Sequence, residues 1–265
     1  DFYGRPLSWK DLNAYSDAFA SFLDEKGVGV GDRVAVFLPN CPQFSIAFFG
    51  ILKRGAILVP VNPMVKGREL AHYLEDSGAR LVLALDTLSG LVKEIDPENR
   101  LTVVSTALSD FLRDEPAYPV PAGALNPAMD VSGTIPLAVA LATPVRAEAM
   151  PELGWDQIAA INYTGGTTGL PKGCLHTHGD MIYTGACAAT YCLPAGENDV
   201  ILSYLPQFWI AGEVAGILLP IVSGCRLVLL TRWDALAVLT AIDRSGVTGM
   251  GTLTDGAVEI MDHPD

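Results

Sequence analysis

Apolar residues along this chain fall into two alternating patterns, short continuous runs and longer stretches with helical spacing. Residues 33–38 (RVAVFL) form a nearly continuous apolar run closed by Pro39, which predicts a buried strand. Residues 42–54 then place Phe44, Phe48, Ile51 and Leu52 at helical spacing, with Gly55 as a stop, so a helix with a core-facing stripe is expected. The same reading gives a strand at 56–61, a short polar helix at 68–76 stopped by Gly78, and strands at 81–85 and 101–104 with a helical stretch between them. Strands separated by helices predict parallel β-α-β units.

The pattern breaks at residues 114–151. Seven of the chain's 18 prolines lie there (Pro116, Pro119, Pro121, Pro127, Pro136, Pro144 and Pro151), so a long crossing connection without regular structure is expected. Alternation then resumes, with strands at 158–163, 200–205, 226–230 and 247–251 and helices at 178–193, 212–222 and 233–244. The expected fold is α/β, with layered, largely parallel sheets and flanking helices. The expected division is a first α/β subdomain at 1–113, a Pro-rich connection at 114–155 and a second α/β subdomain at 156–265.

Composition narrows the function classes. Half of the 265 residues are apolar, which excludes intrinsic disorder. The net charge of −13 argues against nucleic acid as a partner, because a phosphate backbone needs a basic face. The longest apolar runs, 135–142 and 214–222, fall short of the roughly 20 residues a spanning helix needs, and the second contains Pro220. Residues 1–10 have no apolar core of the kind a secretory leader carries. Five cysteines at irregular spacing (Cys41, Cys174, Cys187, Cys192 and Cys225) fit reduced thiols, so a cytoplasmic location is expected.

One segment concentrates chemistry. Residues 163–173 read YTGGTTGLPKG and follow an expected strand, with four glycines, three threonines and one lysine. Glycine lets the backbone turn sharply and lets N–H groups approach a ligand, and successive N–H groups form a concavity for anions. Thr164, Thr167 and Thr168 add hydroxyl donors and Lys172 adds positive charge, a set suited to a polyphosphate. The segment lacks the Gly-Lys-Ser/Thr triplet of a Walker A loop. His176 and His178 have no third residue at ligand-like spacing, so metal binding there is not expected. Cys174 reads as a small buried hydrophobe rather than a nucleophile, and the Phe44, Phe48, Ile51 stripe as core.

The string YTGGTTGLPKG, followed by Thr177-His178, resembles the phosphate-loop signature of the adenylate-forming superfamily, and its Thr164-Gly165-Gly166 start is more typical of fatty acyl-CoA ligases. The resemblance extends upstream through LSWKDL (7–12), GVGVGDRVAV (27–36), GAILVPVNP (55–63), Arg68-Glu69-Leu70 and Asp76-Ser77-Gly78-Ala79. Downstream it continues through YLPQFW (204–209). It implies the fold of that superfamily's N-terminal domain. It also implies an enzyme that uses ATP, Mg²⁺ and coenzyme A to convert a fatty acid into an acyl-adenylate and then a thioester. By resemblance, Thr164, Gly165, Gly166, Thr167, Thr168, Gly169 and Lys172 would hold the ATP phosphates, and Thr164 would help to hold Mg²⁺. Trp209 stands where many relatives have His. It is either an apolar wall of the acyl tunnel or an ordinary core residue.

The family's later motifs, including a Tyr-Gly-x-Thr-Glu element, a ribose-binding Asp and a catalytic Lys, have no candidate in this sequence. The chain is therefore expected to be an N-terminal part that does not complete adenylation alone, and apolar faces left open would favour a homodimer. Two other readings stand beside the fatty acid ligase. One is a ligase for an aryl or other carboxylic acid. The other is a non-catalytic protein that keeps the fold to bind a nucleotide, a lipid or a partner.

Overall fold

A computed structural model describes residues 1–165 and 170–264. Helix α1 (Trp9–Glu25) precedes an alternating series: β1 (Arg33–Phe37), α2 (Pro42–Lys53), β2 (Ile57–Pro60), α3 (Gly67–Ser77), β3 (Leu81–Leu85), α4 (Asp86–Ile95) and β4 (Thr102–Thr106). A long segment then contributes β5 (Ile135–Pro136) and α5 (Leu137–Leu141). The chain continues through β6 (Ile158–Thr164), β7 (Lys172–Thr177), α6 (His178–Cys187), β8 (Val200–Ser203), α7 (Ile210–Glu213), α8 (Leu219–Ser223), β9 (Arg226–Leu229), α9 (Ala235–Ser245), β10 (Gly249–Met250) and α10 (Thr254–Met261). The expected alternation and the layered, largely parallel α/β fold are both observed.

Seven strands form one sheet in the order β5-β4-β3-β1-β2-β6-β7, and three form a second in the order β10-β8-β9. Every pairing is parallel except β6 with β7. Central β1 aligns Val34 with Leu58 of β2 and with Leu81 of β3. Its side chains alternate between two cores. Val34 and Val36 join α1 and α2 residues such as Phe19, Phe44 and Phe48, whereas Ala35 and Phe37 join Leu70, Tyr73 and Leu74 of α3. Both faces are covered, which is why the strands read as continuous apolar runs. The stripe of Phe44, Phe48 and Ile51 is fully buried, as expected.

Several elements depart from the sequence reading. Strand β7 was not expected, and its Cys174 is exposed rather than buried because the strand lies at the sheet edge. The expected helix at 212–222 is interrupted by a π-type turn at Val214–Leu218. Residues 114–151 are not wholly irregular, since β5 pairs with β4 and Leu137 of α5 is buried. Proline is tolerated in β5 because an edge strand has no outer ladder to supply. Helix α1 escaped the periodicity reading, although Ser8 caps it in a reciprocal box with Asp11. The expected helix at 178–193 leaves α-geometry after Cys187 and ends in a wide π-type turn at Ala188–Cys192. Among the described residues, no helix is long and apolar enough to cross a membrane.

The two sheets meet at one fully buried amide, Asn40, just beyond β1. Its Nδ2 donates to the carbonyls of Leu205 at 2.9 Å and Leu230 at 3.1 Å, and its Oδ1 accepts from the Gln207 backbone N–H at 2.7 Å. The side chain thus closes the backbone just past the ends of β8 and β9. Asn40→Ala leaves three backbone groups unpaired in the interior, and each such group costs about 1–3 kcal/mol. We expect a loss of roughly 3 kcal/mol or more, read as a lowered urea midpoint with an unchanged denaturant slope.

Candidate functional site

Strands β6 and β7 form a hairpin whose last registered pair is Thr164 with Lys172. The glycine-rich segment lies between them. Of the residues expected to bind phosphate, Gly166, Thr167, Thr168 and Gly169 lie outside the described residues. Thr164, Gly165 and Lys172 are described and exposed. Thr164 Oγ1 lies 3.5 Å from the Lys172 carbonyl, too far for a strong bond, which leaves the hydroxyl available to a ligand. Among the described residues, Lys172 forms no ion pair. A β-carbon on Gly165 would meet nothing within 4 Å among the described residues. An exposed, unpaired cation and a free hydroxyl face each other at the end of a strand in an otherwise acidic chain. That arrangement suits an anionic ligand. Among the described residues of this strand end, the Thr164 hydroxyl is the oxygen that a divalent cation could take as a ligand, and a hydroxyl alone is a poor one.

The strand is held from beneath through Asn162. This side chain is buried and its Nδ2 donates to Glu213 Oε1 at 2.7 Å. Glu213 is fully buried at the end of α7, and its burial pushes the carboxyl from 4.5 up to about 7, with the Asn162 bond partly opposing the rise. Glu213 Oε2, Asn162 Oδ1 and nearby Ser203 Oγ have no hydrogen-bond partner among the described residues. A neutral, protonated Glu213 avoids an uncompensated interior charge. Sequence reasoning missed Glu213. The available signal was one acid at the head of an otherwise apolar helical run, 214–222.

The same helix presents Trp209. Its backbone carbonyl accepts from Gly212 N at 2.9 Å and Glu213 N at 3.0 Å, so Trp209 caps α7. The indole is 51% exposed and lies edge-on to Phe208, with ring centroids 5.2 Å apart. Trp209 is thus a surface residue rather than a core one. Gly212 makes this placement possible, because a β-carbon there would lie 1.9 Å from the Pro206 carbonyl oxygen. Thr177 caps α6, accepting from Asp180 N at 3.0 Å, while Asp180 Oδ2 accepts from Thr177 N at 2.8 Å. His178 is half-buried, and desolvation lowers its pKa, favouring the neutral ring.

The AMP-binding enzyme family model matches residues 2–265, and the chain belongs to that family. It is 32% identical over its whole length to the long-chain-fatty-acid–CoA ligase of Bacillus subtilis (strain 168), of which it covers 49%. It is 34% identical over 94% of its length to the namesake of Escherichia coli O157:H7, of which it covers 47%. The chain therefore spans about half the length of the curated relatives it matches. Among solved structures, an anthranilate CoA ligase in complex with anthranoyl-AMP superposes with a TM-score of 0.84 at 22% identity. That match covers all of this chain and 48% of the other. ATP-bound MatB from Rhodopseudomonas palustris gives 0.81 at 21% identity, covering 97% of this chain and 46% of the other. These likenesses establish the fold.

Glu213 carries a pH signature. The folded chain retains a proton that the unfolded chain releases above 4.5, so stability falls as pH rises from 4.5 through about 7 and is flat beyond. That window is worth on the order of 3 kcal/mol. Glu213→Gln keeps an acceptor for Asn162 and removes the titration. Thermal melts of wild type and variant should nearly coincide at pH 5, with the variant several degrees more stable at pH 8. A constant offset across that range rejects a buried, protonated Glu213.

Proposed function

We propose that this chain supplies the ATP phosphate-binding part of an acid–CoA ligase that activates fatty acids. The observation that carries the reading is the exposed, unpaired Lys172 registered with Thr164 at the two ends of the glycine-rich segment, in a member of the AMP-binding enzyme family. In such a reaction the substrate carboxylate attacks the α-phosphate of ATP, pyrophosphate leaves, and coenzyme A then displaces AMP to form the thioester. Negative charge grows on the departing pyrophosphate, and donors already aimed at it lower the barrier. Lys172 supplies fixed positive charge there. Thr164 and the N–H groups of residues 165–169 supply neutral donors. Mg²⁺, when bound, adds charge neutralisation on the phosphate oxygens, with Thr164 as one ligand from this chain.

The fatty acid preference rests on the names of the relatives at 32–34% identity and on the exposed apolar surface at Trp209 and Ile210 beside α7. An indole cannot act as a base toward a carboxylate, so its contribution is an apolar wall.

The test is ATP–pyrophosphate exchange by protein expressed from the complete reading frame, offered palmitate, octanoate, benzoate and anthranilate in turn. Exchange driven by the fatty acids supports the proposal. Exchange with the aryl acids alone overturns the fatty acid assignment, and exchange with none overturns the ligase assignment. Lys172→Ala should raise KM for ATP about tenfold or more, as for a lost charge-assisted bond, and leave KM for the acid near its starting value.

A further inference from the structure

Helix α3 holds both ends of the glycine-rich segment, and neither contact belongs to the phosphate-binding residues themselves. Tyr163 immediately precedes Thr164 on β6, and its hydroxyl donates to Asp76 Oδ2 at 2.6 Å. Pro171 immediately precedes Lys172 on β7, and its carbonyl lies 2.9 Å from His72 Nε2. A carbonyl only accepts, so Nε2 carries the proton in this bond. His72 and Asp76 are four residues apart on α3 and therefore share one helix face, roughly 6 Å apart along the axis.

Further contacts make the arrangement rigid. The Tyr163 ring packs on Tyr73 with centroids 4.5 Å apart and edge-on to His72 at 6.2 Å. Helix α3 is anchored by Leu70, Tyr73 and Leu74 in the core beneath the seven-stranded sheet. On β7 the residue registered with Tyr163 is Gly173, where a β-carbon would come within 2.6 Å of Ile161 Cγ2 and 3.4 Å of Tyr163 Cζ. Only glycine leaves Tyr163 and Ile161 undisturbed. Burial and the Asp76 carboxylate both push the Tyr163 phenol well above its ordinary range, so it stays a donor.

We propose that His72 and Asp76 are positioning residues that fix the two ends of the phosphate-binding segment from a single helix face. The proposal rests on the nucleotide reading given above for what the segment binds, but the bracing itself is independent of it. A glycine-rich segment loses much conformational freedom on gripping a ligand, and fixing its ends beforehand lowers that cost. Donors held in place before the reaction are also the ones that stabilise developing charge.

The test joins two measurements on protein expressed from its complete reading frame. The first is amide hydrogen exchange of the peptide spanning 164–172 in nucleotide-free protein. Tyr163→Phe, Asp76→Ala and His72→Leu should each speed exchange there about tenfold, the value of one charge-assisted or part-buried bond, with little change in the sheet core. Tyr163→Phe combined with Asp76→Ala should be no faster than either alone, because both remove the same bond. His72→Gln places an amide donor near the Nε2 position and should restore the wild-type rate of exchange. The second measurement is ATP–pyrophosphate exchange, where the same variants should raise KM for ATP about tenfold, leave KM for the acid unchanged, and be rescued by His72→Gln.

Unchanged amide exchange in Tyr163→Phe and His72→Leu overturns the brace, as does faster exchange spread across the core. Faster loop exchange with an unchanged KM for ATP overturns its role in nucleotide binding. A wild type with no ATP-dependent activity overturns the nucleotide reading, and the nucleotide-free measurement then still decides the brace. Should Asp76→Ala fail to fold, Asp76→Asn keeps an acceptor oxygen and serves as the folded comparison.

Discussion

The hydrogen bonds of Asn40 bind the molecule's two sheets into one framework. A buried primary amide offers two donors and an acceptor, and here they meet two carbonyls and one N–H from the second sheet's connections. Gln207, likewise fully buried, extends the network to Cys41 N and Ser45 Oγ. These bonds are directional, whereas apolar packing alone tolerates sliding. They set the height of α7 against the first sheet, and with it the position of Glu213 under β6. The candidate site therefore depends on an amide that lies just beyond β1, two strands away from β6 in the same sheet.

Strand β6 is gripped on both faces just before its exposed end. Its alternation sends Asn162 toward α7 and Tyr163 toward α3, so consecutive residues tie the strand to opposite layers. The interior grip uses a carboxyl whose protonated form burial favours and the outer one a phenol on a carboxylate, so neither places positive charge at the strand end. The positive charge at this strand end is that of Lys172, exposed and without an ion pair among the described residues. In a chain carrying 17 basic and 30 acidic residues, this separation keeps one unpaired cation where an anion would approach.

Much of the fold was legible in the sequence because both sheet faces are covered. Buried parallel strands make continuous apolar runs, and β1, β3, β8 and β9 were found within a residue or two. The elements that were missed had other signals. Helix α1 announces itself through the Ser8–Asp11 capping box more than through its stripe. Strand β7 has only exposed or half-buried residues and pairs antiparallel to a neighbour already found, so its composition gives no run to read. In the site, Thr164 and Lys172 were legible because glycine, threonine and lysine occur together. Glu213, Asn162, His72 and Asp76 were not, because their roles depend on elements brought together from three distant parts of the chain.

The contact between Gly212 and the Pro206 carbonyl also bears on how this protein could be re-engineered. With no room for any side chain at 212, the turn that displays residue 209 is packed directly on the Pro206 carbonyl, which leaves it little space to drift toward. A smaller or larger residue at 209 would therefore translate directly into gained or lost space beside α7, instead of being absorbed by a shift of the turn. Neighbouring positions such as Ile210 would keep their own placement as 209 is varied. A library built at that one codon would sample shape at the cap of the helix whose Glu213 holds Asn162 of β6.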